Sequence, residues 1–229
     1  GGKATSMKLI VGRLRQDGGE IRVCDEPVRY GQTKTNRFVG YLPDVPEFYG
    51  CLTPVEYLAL CGSVAQMPPD GLDERIADLL RLVGLENSAK RRIGGFSRGM
   101  KQRLGIAQAL IHRPRLLVCD EPTSALDPAG RRDIIDILRA IKSETTVLFS
   151  THILPDIERV CDEIGLLHGG RIALGGRLEE IKQMHARSGF TAEVASEADA
   201  NRFLSAFPGG QAVSPAQLLY ANAAREDMV

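Results

Sequence analysis

An α/β fold built on a mainly parallel sheet is what this sequence predicts, and three observations carry the prediction. Apolar runs of strand length alternate with helical periods over residues 115–174, as they do when both faces of a parallel sheet are covered. A block of helical periodicity over about 50–112 separates this region from two earlier, shorter strands. The composition is ordinary for a globular chain: 229 residues, 43% hydrophobic and 25% charged, room for one large domain with a small appendage.

Taken in order, an amphipathic run over 7–11 follows the opening Gly1-Gly2-Lys3-Ala4-Thr5. Asp17-Gly18-Gly19-Glu20 reads as a turn and 21–23 as a strand. Residues 37–42 form a second strand, stopped by Pro43 and Pro46. Thr53-Pro54 supplies an N-cap and a first-turn proline for a helix to about residue 65. Residues 73–83 repeat apolar side chains at Ile76, Leu79, Leu80 and Val83 and end at Gly84, and a further helix runs from Arg98 to Ile111, before Pro114. Then come a buried strand over 115–119, a helix over 129–142, a strand over 145–150 and a helix over 154–161. Two short strands, 164–167 and 171–174, flank His168-Gly169-Gly170, and Gly175-Gly176 turns into a helix over 178–184. After Lys182 the composition shifts to Ser, Ala, Glu and Gly, with a strand-like stretch at 190–194 and a helix-like one at 196–207. The expected organisation is a domain over 1–182, with its helical part at about 50–112, and a small C-terminal segment over 183–229.

Charge and cysteine usage exclude several classes of function. Lys+Arg 29 balance Asp+Glu 29, so the chain is no polycation and nucleic acid is not an expected partner. The longest charge-free stretches, 57–69 and 203–224, are interrupted by Gly, Pro, Gln and Asn and do not read as membrane spans. Five cysteines form no CxxC and no metal-type pairing with the four histidines, which points to a reduced, cytosolic protein. The first residues have neither the basic nor the apolar region of a signal peptide.

Two motifs carry chemistry. The opening residues match the second half of GxxxxGK[ST], where loop amides cradle phosphates, the lysine reaches the outer phosphates and the hydroxyl holds magnesium. Gly2 and Lys3 fit that pattern, Ala4 does not, and a flexible end would carry the same tripeptide. Leu116-Leu117-Val118-Cys119-Asp120-Glu121 is an apolar strand ending in two acids. In such an arrangement the first carboxylate organises a metal, and the second can take a proton from water attacking a terminal phosphate. Taken alone, the pair also suits a solvated strand end.

The neighbouring sequence decides between these readings. Phe96-Ser97-Arg98-Gly99-Met100-Lys101-Gln102-Arg103, then Glu121-Pro122-Thr123-Ser124-Ala125-Leu126-Asp127-Pro128, then Ser150-Thr151-His152, follow Gly2-Lys3 in that order. Over nearly all of 1–181 the chain thereby resembles the nucleotide-binding domain of ATP-binding cassette (ABC) transporters. The resemblance implies a P-loop NTPase fold of the RecA-like kind with a helical ABC-type subdomain, and an ATPase using ATP and Mg2+. It assigns Gly2, Lys3 and Thr5 to the phosphate loop, and Tyr41-Leu42-Pro43-Asp44 to the segment that senses the γ-phosphate and touches the membrane subunits. Ser97, Arg98 and Gly99 would be the signature that reaches the ATP of a second subunit, since a hydroxyl, an amide and a helix start make an anion site. Asp120 is implied as metal-organising, with Asp44 as a further metal contact, Glu121 as general base and His152 as a contact to the γ-phosphate and attacking water. Residues 124–127, ending in Asp127, would link the two sites.

The implied partners are ATP, transmembrane permease subunits and a second ATPase subunit, in a homo- or heterodimer. The implied location is cytoplasmic, peripheral on the inner face of the cell membrane. Residues around Phe48, Tyr49 and Leu52, beside Asp44, are the expected docking patch. Three features depart from the family. The strand and first residues of the phosphate loop, with the adenine-stacking aromatic, are expected upstream of this sequence. Ala4 removes a magnesium ligand, and Thr5 points about 100° away on a helix. Asp44 stands in place of Gln, and with Phe-Ser-Arg-Gly-Met as signature the chain resembles the ATPases of ABC-2-type exporters. Two alternatives stand beside an exporter ATPase: a weakly or non-hydrolysing nucleotide-binding subunit, and a soluble ABC ATPase without a transport role.

Overall fold

In the computed structural model, which describes residues 2–185, 189–207, 210–214 and 217–221, Gly2 adopts φ 110° and turns the chain into α1 (Lys3–Ile10). That left-handed conformation suits glycine, which has no Cβ to clash. An antiparallel hairpin follows, β1 (Arg22–Val23) with β2 (Glu26–Pro27). Its turn residues, Cys24 and Asp25, both have positive φ, as a two-residue hairpin requires. The second strand is unexpected from sequence, because Cys-Asp is a poor turn signal and Pro27 argues against a strand. β3 (Val39–Leu42) is shorter than expected. Arg37 and Phe38 belong instead to a tight turn in which the Phe38 amide donates to the Thr35 carbonyl, so it is not available to a neighbouring strand.

The helical region is assembled from well-defined ends. α2 (Pro54–Val64) begins with the capping box of Thr53 and Glu56. α3 (Leu72–Leu82) buries Ile76, Leu79 and Leu80. α4 (Arg98–Leu110) buries Leu104, Ile106, Ala107 and Leu110. Arg75 from α3 donates to the Leu110 carbonyl at 2.7 Å, satisfying the end of α4. Before α4, the amides of Ile93 and Gly94 donate to the carbonyls of Leu52 and Gly50, which ties the approach to Ser97 back to the segment before α2. α4 lies so close to β3 that a Cβ on Gly40 would collide with the Ala109 carbonyl.

β4 (Leu116–Asp120) is the central strand, parallel to β3 on one side and to β5 (Thr146–Ser150) on the other. The register sets Leu42 beside Cys119 and Asp120 beside Ser150, so all three strands deliver their C-terminal ends to the same edge. Leu117, Val118 and Cys119 are fully buried, as the apolar run requires. α5 (Pro128–Ile141) packs Ile134, Ile135 and Leu138 into the same core, and α6 (Leu154–Val160) follows β5 directly. β6 (Glu163–His168) and β7 (Arg171–Arg177) form a hairpin around Gly169 and Gly170, both at positive φ. Gly175 and Gly176 fall inside β7 and not in a turn.

The chain divides into two compact units, residues 1–175 and 176–229, a division that falls ahead of the compositional change at Lys182. The second unit contains α7 (Leu178–His185), β8 (Gly189–Glu193), α8 (Glu197–Ala206), β9 (Gln211–Ser214) and β10 (Gln217–Ala221). Its sheet runs β8-β10-β9, antiparallel throughout, over a small core of Ala200 and Leu218. The strand at 190–194 and the helix at 196–207 are found; β9 and β10 were not expected, although β10 carries the apolar Leu218, Leu219 and Tyr220. Among the described residues no helix is long and apolar enough to cross a membrane.

Candidate phosphate and catalytic site

The C-terminal edge of the parallel sheet gathers acids, a hydroxyl and a histidine, and α1 brings a lysine to them. Asp120 ends β4 at 7% exposure and accepts a hydrogen bond from Ser150 Oγ at 2.7 Å on Oδ1. The same hydroxyl oxygen accepts from the Glu121 amide at 3.0 Å, so Ser150 joins the two acids across β4 and β5. Glu121 has φ 49°, a conformation that non-glycine residues adopt rarely and at some cost, and that recurs at functional sites.

The Glu121 carboxylate is held from both sides. Lys3 Nζ lies 3.1 Å from Oε1 and donates to the Thr151 carbonyl at 2.7 Å. His152 Nδ1 lies 2.8 Å from Oε2. Partial burial pushes this carboxyl up, but the hydrogen bonds and charges of Lys3 and His152 outweigh it and hold the group below its ordinary value of 4.5. At neutral pH Glu121 is therefore ionised and able to accept a proton.

The remaining predicted residues fall into separate places. Thr5 is exposed on α1 beside the exposed Ala4, while the Ser6 hydroxyl donates to the Gly2 carbonyl at 3.0 Å. Asp127 caps α5, accepting from the Gly130 amide at 3.2 Å. Ser97 caps α4, accepting from the Met100 amide at 3.2 Å, and Arg98 lies 3.7 Å from Asp44 with both side chains half-exposed. Gly99 sits near Leu126. Among the described residues no hydrogen bond or ion pair ties Ser97, Arg98 or Gly99 to the cluster of Lys3, Glu121 and His152. Asp44, Pro46, Phe48, Arg98, Lys101 and Gln102 line a groove of about 470 Å³. Phe48 and Leu52 pack against the core and Tyr49 is exposed, so the expected apolar patch is carried mainly by Tyr49.

The donor set suits a magnesium nucleotide. No group of three or more His, Cys, Asp or Glu side chains able to hold a metal occurs among the described residues. Mg2+ needs no such cage, since it is held by one or two carboxylates together with phosphate oxygens and water, and Asp120 is placed to supply a carboxylate. Sequence reasoning gave Ser150 and Thr151 no role of their own beside His152, although both are bonded into this cluster. Their signal was the Ser-Thr pair immediately before His152, at the end of a strand.

Comparison with known proteins identifies the family. Residues 1–124 match the family model described as ABC transporter. The chain is 42% identical over 193 residues to the uncharacterized ABC transporter ATP-binding protein YxlF of Bacillus subtilis, covering 84% of this chain and 64% of that one. It is 35% identical over 190 residues to the bacitracin transport ATP-binding protein BcrA of Bacillus licheniformis, covering 81% of this chain and 59% of that protein. It thus spans less than two thirds of the length of these curated relatives. A solved structure described as the ATP binding subunit of an ABC transporter superposes with a TM-score of 0.71 at 32% identity, covering 81% of this chain and 78% of that one.

Proposed function

Because the chain belongs to the ABC transporter family and its relatives are ATP-binding proteins of that family, we propose that the protein is the ATP-hydrolysing subunit of an exporter. The observation that carries this reading is the meeting of Lys3, Glu121 and His152 at the mouth of β4 and β5, through contacts of 3.1 and 2.8 Å to one carboxylate.

In this reading Gly2, Lys3 and the start of α1 receive phosphate, with the lysine moving from Glu121 toward the outer phosphate oxygens. Glu121 accepts the proton of the attacking water, and His152 holds that carboxylate and faces the γ-phosphate. Asp120, and Asp44 from the groove side, would hold Mg2+, which supplies charge neutralisation on the phosphates when bound. Ser97, Arg98 and Gly99 present a helix start to the nucleotide of a second copy or a related subunit, and Asp127 lies on the loop between the two sites. ATP then favours the closed dimer only because it meets both halves there, a differential affinity that binding alone would not provide.

The groove from Asp44 to Phe48, with exposed Tyr49 beside it, is where a membrane permease subunit would dock. Docking there would place the protein on the cytoplasmic face of the membrane. Residues 1–182 would form the ATPase domain, with 50–112 as its helical subdomain and 183–229 as an accessory segment. Asp44 and the Ser-Arg-Gly-Met signature favour export. Ala4 favours a second reading, a nucleotide-binding subunit of low turnover, because it removes the hydroxyl that otherwise holds magnesium. Magnesium-dependent ATP turnover of the full-length protein and of Ala4→Ser separates the two. Turnover by both, faster in Ala4→Ser, supports the exporter ATPase. Turnover by Ala4→Ser alone supports the weakly catalytic subunit, and turnover by neither contradicts the ATPase reading.

A further inference from the structure

We infer that Asp156 is a positioning residue for hydrolysis: its buried carboxylate sets the spacing between the segments that carry Glu121, Asp127 and His152. This rests on the ATPase reading above. Asp156 is 1% exposed. Its Oδ2 accepts from Thr123 Oγ1 at 2.7 Å and its Oδ1 from Arg131 Nε at 2.7 Å. Thr123 is likewise 1% exposed. A charge so buried is strongly unfavourable unless both oxygens are bonded, and here each oxygen is bonded to a different segment.

The sequence positions of the three partners give the arrangement its meaning. Thr123 lies two residues after Glu121, on the loop that leaves β4. Arg131 lies on the first turn of α5, whose cap is Asp127. Asp156 lies on the first turn of α6, four residues after His152, its amide donating to the Ile153 carbonyl. Neither Asp156 nor Thr123 is bonded to Lys3, Glu121 or His152, so neither has a direct part in the chemistry. Their bonds instead fix where the Glu121 loop and the His152 turn stand relative to each other. The Glu121–His152 contact of 2.8 Å depends on that spacing. An ion pair of Arg131 with any acid would stabilise the fold; a carboxylate shared between these two segments also orients them.

The test uses the full-length protein with Asp156→Asn, which keeps the shape and loses the charge, and Thr123→Val, which keeps the volume and loses the hydroxyl. Both are expected to lower kcat about 10- to 100-fold, the effect of a displacement of about 1 Å, while KM for ATP changes less than about threefold. In a His152→Ala background the same substitutions are expected to add less than about threefold, because the contact they position is already gone. Independently of turnover, the imidazole ¹⁵N resonance of His152, identified by its loss in His152→Gln, is expected to move in Thr123→Val and Asp156→Asn toward its position in Glu121→Gln. Unchanged kcat in the folded variants, equal losses in both backgrounds, or an unmoved His152 resonance would each overturn the inference. Should the unmodified protein not hydrolyse ATP, the ATPase reading fails, and the His152 resonance alone decides whether Asp156 positions the pair.

Discussion

The mouth of β4 and β5 and the start of α4 are both expected to meet phosphate, yet they are held by different means. At the strand mouth, Lys3 reaches Glu121 and Thr151, Ser150 joins Asp120 to Glu121, and His152 closes on Glu121, all through bonds between residues distant in sequence. At the start of α4, Ser97 bonds within its own helix turn, and Arg98 contacts Asp44 only at 3.7 Å. The first region has its geometry imposed by the sheet register, as suits groups that must stand within hydrogen-bond reach of one another. The second presents a helix end whose local cap is satisfied, as suits a surface that meets a nucleotide held elsewhere.

Perturbing each region sharpens the contrast. The largest effect is expected from His152→Ala, which removes the 2.8 Å contact to Glu121 and should lower kcat about 10²-fold with nucleotide binding retained, as read by steady-state turnover beside equilibrium binding of a fluorescent ATP analogue. Ser150→Ala leaves Asp120 at 7% exposure without that donor and should cost about 1–3 kcal/mol in denaturant unfolding. Ser97→Ala should cost about 1 kcal/mol, the loss of one helix cap, whatever it does to turnover. Arg98→Ala, which loses a half-exposed pair, should change stability by no more than about 0.5 kcal/mol, and less at high salt. A Ser97→Ala cost above that of Ser150→Ala would reverse the comparison.

Acid titration probes the strand mouth in another way. Because Lys3 and His152 hold the Glu121 carboxyl below 4.5 despite its partial burial, its charge stabilises the folded state above the ordinary glutamate range. That contribution is lost as pH falls through that range toward the lower folded value. Stability measured across this window should fall less steeply in Glu121→Gln than in the unmodified protein.

Much of this was legible in the residues themselves. The apolar run before Asp120 and Glu121 announced a buried strand with acids at its mouth, and Thr53-Pro54 announced a helix start that the structure places there, whereas the cap role of Asp127 went unread. Lys3 was singled out by the phosphate-loop pattern, which fixes residue types at fixed spacing, and α1 brings it to Glu121. What stayed hidden depends on packing between distant segments. The left-handed backbone of Glu121, the bridging role of Ser150 and the sharing of Asp156 between Thr123 and Arg131 arise only once α5, α6 and the sheet are assembled. β2, with its Pro27, and the polar β9 show that short strands can form where local preference argues for a loop.

The proposed proton transfer runs from the attacking water to Glu121, while other residues hold the nucleotide. It is tested most directly by measuring ATP binding and magnesium-dependent turnover side by side in full-length protein and Glu121→Gln. The expected result is turnover lower by at least about 10²-fold with ATP still bound. Turnover in Glu121→Gln equal to that of the unmodified protein would contradict the account.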